Sequence, residues 1–325
     1  MSVNPAATTK INATAADYLA LARLDHATKH VFIVPGAVLA ALLRGFHSSD
    51  LVWSIIAGLV AALCIASANY TINEYVDRES DSHHPTKSTR TSVQREVSPV
   101  IVAAQWLLLT SIGLAAALST STTMFFVVLA FSAQGIFYNV RPFRTKDVPY
   151  LDVLSESVNN PLRLMIGWAM IDPNTLPPAS IIASYWTGGA FLMAAKRLSE
   201  YREIVSTHGK ELLVRYRRSF AGYGEISLTV SCFLYSLLSS ASLAVFLIKY
   251  RIEYVFLLPA IGALFATYLA LSMMPGSTAQ KPERLFQEQK LIVAVITVTV
   301  LFVVLSVYDL PFLEPFTSQK YIVLR

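Results

Sequence analysis

Charge is scarce in this chain. Only 14% of its 325 residues are Asp, Glu, Lys or Arg, while 54% are hydrophobic. An ordinary soluble domain carries roughly a quarter charged residues, so the composition points to a polytopic membrane protein. Cysteine is nearly missing too. Cys64 and Cys232 both fall in apolar runs without a partner at metal-ligand spacing, so buried thiols are expected, not a disulfide or a zinc site. There is no Walker loop, no G-x-G-x-x-G and no G-x-S-x-G, which sets aside the common nucleotide-binding and serine-hydrolase designs. Residues 1–18 are polar and lack a basic start followed by an apolar core, so no cleavable signal peptide is expected. No repeat and no low-complexity linker divides the chain, which reads as one domain.

What the chain has is long apolar runs. Nine spans are expected, at about 30–46, 51–72, 97–118, 121–138, 152–171, 179–198, 224–248, 253–273 and 289–308, each near the ~20 residues that cross a bilayer. The fold class expected is an all-α integral membrane bundle around a central cavity. With a cytoplasmic N-terminus, 20 of the 26 Lys and Arg residues lie on the cytoplasmic side and five opposite, with Arg163 inside a span. That bias follows the positive-inside rule. The organisation expected is a cytoplasmic lead-in at 1–29 with an amphipathic segment, a transmembrane catalytic region at 30–308, and a non-cytoplasmic tail at 309–325. Arg23, His26, Lys29 and His30 fall on the lead-in, where contact with the membrane surface is expected.

Residues 69–90, NYTINEYVDRESDSHHPTKSTR, follow directly on an apolar run. Asn73, Asp77 and Asp81 step by four, which drifts only about 40° per step on a helix and keeps three oxygen-bearing side chains near one face. Hard divalent cations take such oxygen ligands, and Mg²⁺ often binds through one or two carboxylates plus substrate phosphates. The ladder therefore suggests a site for a Mg²⁺-bound diphosphate. Its bland alternative is a solvated acidic helix end paired with Arg78 or Lys87. The adjacent His83 and His84 read as loop residues.

Two further clusters carry charge. In 138–168, Arg141, Arg144 and Lys146 form a basic group that could hold phosphate oxygens, or enforce topology and touch anionic lipid. Asp152, Glu156 and Asn160 again step by four, and Arg163 follows. An ionisable residue about three turns into a span is a functional-site hypothesis by default, with Glu156 as an alternative structural counter-ion. In AAKRLSEYREI (194–204), Lys196 and Glu200 lie four apart, either as a surface ion pair or, with Arg197, as a cationic grip on a leaving group.

These residues resemble the UbiA superfamily of intramembrane prenyltransferases over most of the chain. The family's first acidic run appears as Asn73-Glu74-x-x-Asp77-x-x-x-Asp81, with Glu74 in place of the usual Asp. Tyr138-Asn139…Arg144-x-Lys146 and Lys29-His30-Val31-Phe32 are similar to the family as well. The resemblance implies Mg²⁺ held by Asn73, Asp77 and Asp81. It implies a polyprenyl diphosphate gripped by Lys146, Arg144, Arg163, Lys196 and Arg197, with Glu200 also among the substrate-binding residues. Asp152, Glu156 and Tyr138 would orient a lipophilic or aromatic acceptor or take its proton. The expected partners are these lipids, with no nucleic acid.

One feature departs from the family pattern. Where aromatic prenyltransferases carry a second Asp-x-x-x-Asp, this chain reads Lys196-Arg197-x-x-Glu200. That resembles the branch transferring phosphoribose to decaprenyl phosphate, as do Leu151-Asp152-Val153-Leu154, Leu162-Arg163 and Gly167. Asn139-Val140-Arg141-Pro142-x-Arg144 instead resembles members acting on carotenoid or lipid acceptors. Three readings stay open: prenyl transfer from a diphosphate, phosphoribosyl or glycosyl transfer onto a polyprenyl phosphate, and non-catalytic binding or transport.

Overall fold

The computed structural model describes residues 11–85, 87–277 and 288–313. Most of the expected 309–325 tail, the first ten residues of the expected 1–29 lead-in and residues 278–287 lie outside the described residues. The fold is helical, with one two-residue strand pair among the described residues: β1 (Ile11–Asn12) runs parallel to β2 (Arg95–Glu96).

Local chemistry starts the helices. Thr14 and Asp17 cap α1 (Ala15–Leu21) through reciprocal bonds, each Thr14 donor reaching Asp17 Oδ2 at 2.8 Å. A 3-10 stretch, Leu24–Ile33, leads into α2 (Val34–Arg44). The Asp50 carboxylate accepts from the Trp53 N–H at 2.9 Å and opens α3 (Leu51–Asp81). At 31 residues α3 is about 46 Å long, against about 30 Å of hydrocarbon. Its last turns, from Asn73 to Asp81, are therefore carried past the apolar slab. The short α4 (Thr91–Gln94) folds back toward it. Next come α5 (Pro99–Leu118) and α6 (Thr122–Asn139), the latter capped by Ser121 accepting from the Met124 N–H.

The expected span at 152–171 is not one helix. It is α7 (Leu151–Ser157) followed by α8 (Asn159–Ile171). Pro161 has no N–H to give the Ser157 carbonyl, so the ladder breaks just before it. The remaining helices are α9 (Ala179–His208), α10 (Lys210–Tyr216), α11 (Glu225–Tyr250), α12 (Leu258–Ser272) and α13 (Gln289–Val307). Seven helical segments among the described residues have the length and apolar composition to cross a membrane, so the expected count of nine is not confirmed. Besides the broken α7–α8, α9 falls short because Ser180, Ser184, Thr187, Gly188 and Gly189 dilute its apolar half. The chain is an integral membrane protein of the all-α class.

Two compact units emerge. One contains α1 to α8 and α10; the other contains nearly all of α9 with α11 to α13. In the first unit the core joins Ala61, Ala62 and Ile65 of α3 to Val127, Val128 and Phe131 of α6 and to Ile166, Trp168 and Met170 of α8. Close backbone approach holds α2 and its lead-in against α8. A Cβ on Gly36 would meet the Leu164 carbonyl oxygen at 1.9 Å, and one on Gly167 would meet the Ile33 carbonyl oxygen at 2.0 Å. Small residues are the usual device for such contact in membranes, where packing replaces the hydrophobic drive. In the second unit, Ser184 of α9 and Ser239 of α11 exchange hydroxyl-to-carbonyl bonds at 3.1 and 3.0 Å. Cys232 is buried and Cys64 partly so, both as free thiols.

Gly167→Val is predicted to force α8 off the lead-in and to cost about 1–3 kcal/mol by overpacking. Thermal unfolding of detergent-purified protein checks it; an unchanged transition would contradict the packing described.

Candidate functional site: a lysine buried among oxygens

The end of α3 and the loop after α6 build the site together. Lys146 sits in a short 3-10 turn (Thr145–Asp147) and is only 4% exposed. Its ammonium donates to Asn139 Oδ1 at 2.9 Å and Asn73 Oδ1 at 3.2 Å, and pairs with Asp77 Oδ1 at 2.5 Å. Arg144 Nη2 reaches the same Asp77 oxygen at 3.1 Å, while its Nε holds Asp147 at 2.8 Å and its Nη1 holds the Asn139 carbonyl at 3.1 Å. The loop is strained to achieve this: Arg144 and Tyr150 have φ of 29° and 64°. Non-glycine residues rarely adopt such angles, and they cluster at functional sites. Burial pushes the Lys146 amine down to about 8, with the Asp77 charge opposing and the Arg144 charge adding to the shift.

Asp81 does not share this cluster. The 40° drift accumulates to about 80° from Asn73 to Asp81, which brings Asp81 within about 20° of Glu74 around the helix. Both acids then face α4. Arg90 Nη1 bridges Glu74 Oε1 at 2.9 Å and Asp81 Oδ2 at 2.8 Å; Arg23 Nη1 adds a contact to Glu74 at 3.0 Å, and Lys87 approaches Asp81 at 3.9 Å. Ser92 Oγ donates to Glu74 at 3.3 Å. Glu74 is buried and engaged by Arg23, Arg90 and Ser92 together. Arg78 pairs with none of these acids: it donates to the Tyr75 carbonyl at 2.7 Å.

A second set of expected residues meets through a side chain that sequence spacing did not single out. Arg217, just after α10, reaches Tyr138 Oη at 2.7 Å, Asp152 Oδ2 at 3.4 Å and Glu156 Oε2 at 3.8 Å. The Tyr138 hydroxyl donates to Glu156 at 2.6 Å, and Ser219 Oγ donates to the fully buried Asp152 at 3.0 Å. The Lys146 ammonium lies 5.8 Å from the Tyr138 ring centroid, linking the two sets. Arg217 stands in Arg215-Tyr216-Arg217-Arg218, a run that spacing assigns only to membrane topology. Arg90 was missed for the same reason.

Arg163 joins neither set. Its guanidinium lies over the Phe131 ring at 5.1 Å and donates to the Asn159 carbonyl at 3.4 Å. Glu156 is therefore not its counter-ion. The break between α7 and α8 removes the shared helical face that pairing needed. Lys196, Arg197 and Glu200 belong to the other unit, where Arg197 and Glu200 form a buried pair at 3.4 Å.

Among the described residues no three His, Cys, Asp or Glu side chains converge as metal ligands. The donor set of Asn73, Asp77 and Asn139 nevertheless surrounds one cation, the Lys146 ammonium. A carboxylate and amide oxygens converging on a point are the chemistry a hard divalent ion uses. The residues present therefore fit such an ion, with Asp81 free to contribute only after leaving Arg90.

A profile of the UbiA prenyltransferase family matches residues 32–292. The chain belongs to the UbiA prenyltransferase family. A solved UbiA homologue from Archaeoglobus fulgidus, bound to GPP and Mg²⁺, superposes with a TM-score of 0.66 at 22% identity, covering 90% of this chain and 100% of that one. Identity that low speaks for the fold. A lycopene elongase/hydratase from Haloarcula japonica is 29% identical over 124 residues, 36% of this chain and 39% of that protein. A protoheme IX farnesyltransferase from Bacillus mycoides is 26% identical over 175 residues, 52% of this chain and 56% of that protein. The chain thus spans less than two thirds of the curated relatives it matches.

Arg90→Met is predicted to leave Glu74 and Asp81 undercompensated. Losing one partner of a fully buried pair costs about 3–5 kcal/mol; with the Arg90 side chain 26% exposed, screening reduces this to about 2 kcal/mol. Thermal unfolding should fall accordingly and be partly restored by Arg90→Lys. Stability equal to wild type would show the network to be idle.

Proposed function

We propose that this UbiA-family chain is a Mg²⁺-dependent prenyltransferase, moving an isoprenoid chain from a polyprenyl diphosphate to a lipophilic acceptor. The observation that carries this is the pairing of Lys146 and Arg144 on Asp77 at the C-terminal end of α3. Two cations and a carboxylate with amide oxygens are what a metal-bound diphosphate needs. The GPP and Mg²⁺ bound by the Archaeoglobus fulgidus homologue support the reading, as do the two isoprenoid enzymes among the relatives.

In the proposed reaction the C1–O bond of the prenyl diphosphate breaks and its electron pair leaves with the diphosphate. Asn73 and Asp77, joined by Asp81, would hold Mg²⁺, which supplies the charge neutralisation that makes diphosphate a better leaving group. Lys146 and Arg144 turn from Asp77 to phosphate oxygens, and their hold strengthens as charge builds on the departing group. The allylic carbon then bonds to the acceptor, which loses a proton. Glu156, bonded to the Tyr138 hydroxyl, is the proposed proton acceptor, with Asp152 and Arg217 fixing its place. The helical bundle keeps water from the cation, whose hydrolysis is the obvious side reaction. The Lys and Arg bias places these loops in the cytoplasm in this proposal.

A second reading is favoured by one observation. Glu200 is paired with Arg197 where a second acid pair would hold another metal, which suits transfer of phosphoribose onto a polyprenyl phosphate.

The test is a product assay on purified protein in detergent with Mg²⁺, reading the lipid fraction by mass spectrometry. One arm offers polyprenyl diphosphates with mixed acceptors, and the other offers phosphoribosyl diphosphate with polyprenyl phosphate. A prenylated product whose rate falls at least about 100-fold in Asp77→Asn, the scale of losing an electrostatic group at the reacting centre, is expected. Full turnover in Asp77→Asn and Asp81→Asn sinks the proposal. A phosphoribosyl lipid moves the chain to the second reading, and silence in both arms favours binding or transport.

A further inference from the structure

The basic group after α6 does not act as one. Arg144 and Lys146 turn inward onto Asp77. Arg141 is exposed, and its side chain has no ion pair or hydrogen bond among the described residues. Arg215 and Arg218 share that condition, although Arg217 between them is turned inward onto Asp152 and Glu156. The acids of the region do not offset these three charges. Asp147 is held by Arg144, Asp152 and Glu156 are held by Arg217, and Glu211, one turn before Arg215 on α10, does not pair with it. The 3-10 turn Arg218–Gly222 packs against the loop, with Gly222 so close to Pro149 that a Cβ would meet its ring at 2.5 Å. Positive charge is therefore left over on the outer side of the loop and of the turn beside it.

An aromatic contact sets the depth of this surface. Phe137, in the last turn of the membrane-spanning α6, is 45% exposed and so faces lipid. Phe143 is 57% exposed and rests edge-on against it, with ring centroids 4.7 Å apart. The contact keeps the tip of the loop level with the end of the helix, where hydrocarbon gives way to head groups. Aromatic side chains concentrate at that level. Arg141, two residues before Phe143, then stands among the lipid phosphates. Val148, also exposed, adds apolar surface on the other arm of the loop. Exposed apolar side chains beside uncompensated cations mark a surface that docks on a membrane. Water would satisfy the arginines but not Phe143 and Val148. An uncharged bilayer would cover the apolar groups and leave the arginines without a counter-charge. A negatively charged phospholipid meets both demands.

We infer that the loop 140–150, with Arg215 and Arg218 beside it, is a docking surface for the head groups of anionic phospholipids. The lipid phosphate takes Arg141 and Arg218, and the Phe143 ring enters the interface next to it. The inference is independent of the reaction the chain performs, since it uses none of the side chains turned onto Asp77.

The experiment places the full chain in bilayers mixed from phosphatidylcholine and phosphatidylglycerol, with Phe143→Trp as a local fluorescent reporter. One lipid at a time carries brominated acyl chains, which quench a tryptophan they touch. The chain without the substitution gives the background from Trp53, Trp106, Trp168 and Trp186. Both lipids are expected to quench the reporter, with phosphatidylglycerol preferred about fivefold, the scale of one basic residue near an anionic surface. In about 1 M salt, where the screening length is about 3 Å, the preference should vanish. Arg141→Gln combined with Arg218→Gln should remove it at low salt as well, and Arg141→Lys combined with Arg218→Lys should retain it. Thermal unfolding of each variant shows that it is folded. A reporter that neither lipid quenches, equal quenching by both lipids at low salt with the arginines intact, or a preference that survives the glutamine pair overturns the inference.

Discussion

An ammonium cannot be buried at the edge of an apolar slab unless oxygens surround it, and Lys146 is almost wholly buried. Everything near it is arranged to meet that demand. Asn73 and Asp77 come from the last turns of a helix longer than the membrane is thick, and Asn139 comes from the end of α6. The intervening loop holds Arg144 at an unfavourable backbone angle so that a second cation reaches Asp77. Such preorganisation makes sense when the charges must later serve a ligand that brings its own negative charge and its own metal.

The acidic end of α3 is divided between two tasks. One edge, Asn73 and Asp77, faces the basic loop. The other, Glu74 and Asp81, is tied by Arg90 and Arg23 to the lead-in and α4. The division follows from helical geometry, because small angular steps add up over eight residues. It gives the sequence departure at Glu74 a physical account: the longer side chain reaches Arg23, Arg90 and Ser92 at once. Asp81 belongs to this second edge, held by Arg90 and Lys87.

Much of the class and part of the site were legible beforehand. Scarce charge and long apolar runs foretold the helical membrane fold. The four-residue stepping put Asn73 and Asp77 on one helix face, and the structure has both against Lys146; the sequence singled out Tyr138 and Glu156 without pairing them. Less was legible where a contact depends on distant segments. Arg217 and Arg90 stand in basic stretches that read only as topology signals, because nothing local marks which side chain turns inward. Pro161 was visible, yet hydropathy averages over it and turned two helices into one span. The supposed Glu156–Arg163 pair failed for that reason. In α9, the serines and glycines that let Ser184 meet Ser239 are the same residues that weaken its membrane signal.

The central claim is that Asn73, Asp77 and Lys146 form a site for a metal-bound diphosphate. Calorimetric binding of geranyl S-thiolodiphosphate, with and without Mg²⁺, to wild type and Asp77→Asn tests it most directly. The account predicts tight binding only with Mg²⁺ present, lost in the variant. Equal binding without Mg²⁺, or undiminished binding in Asp77→Asn, would contradict it.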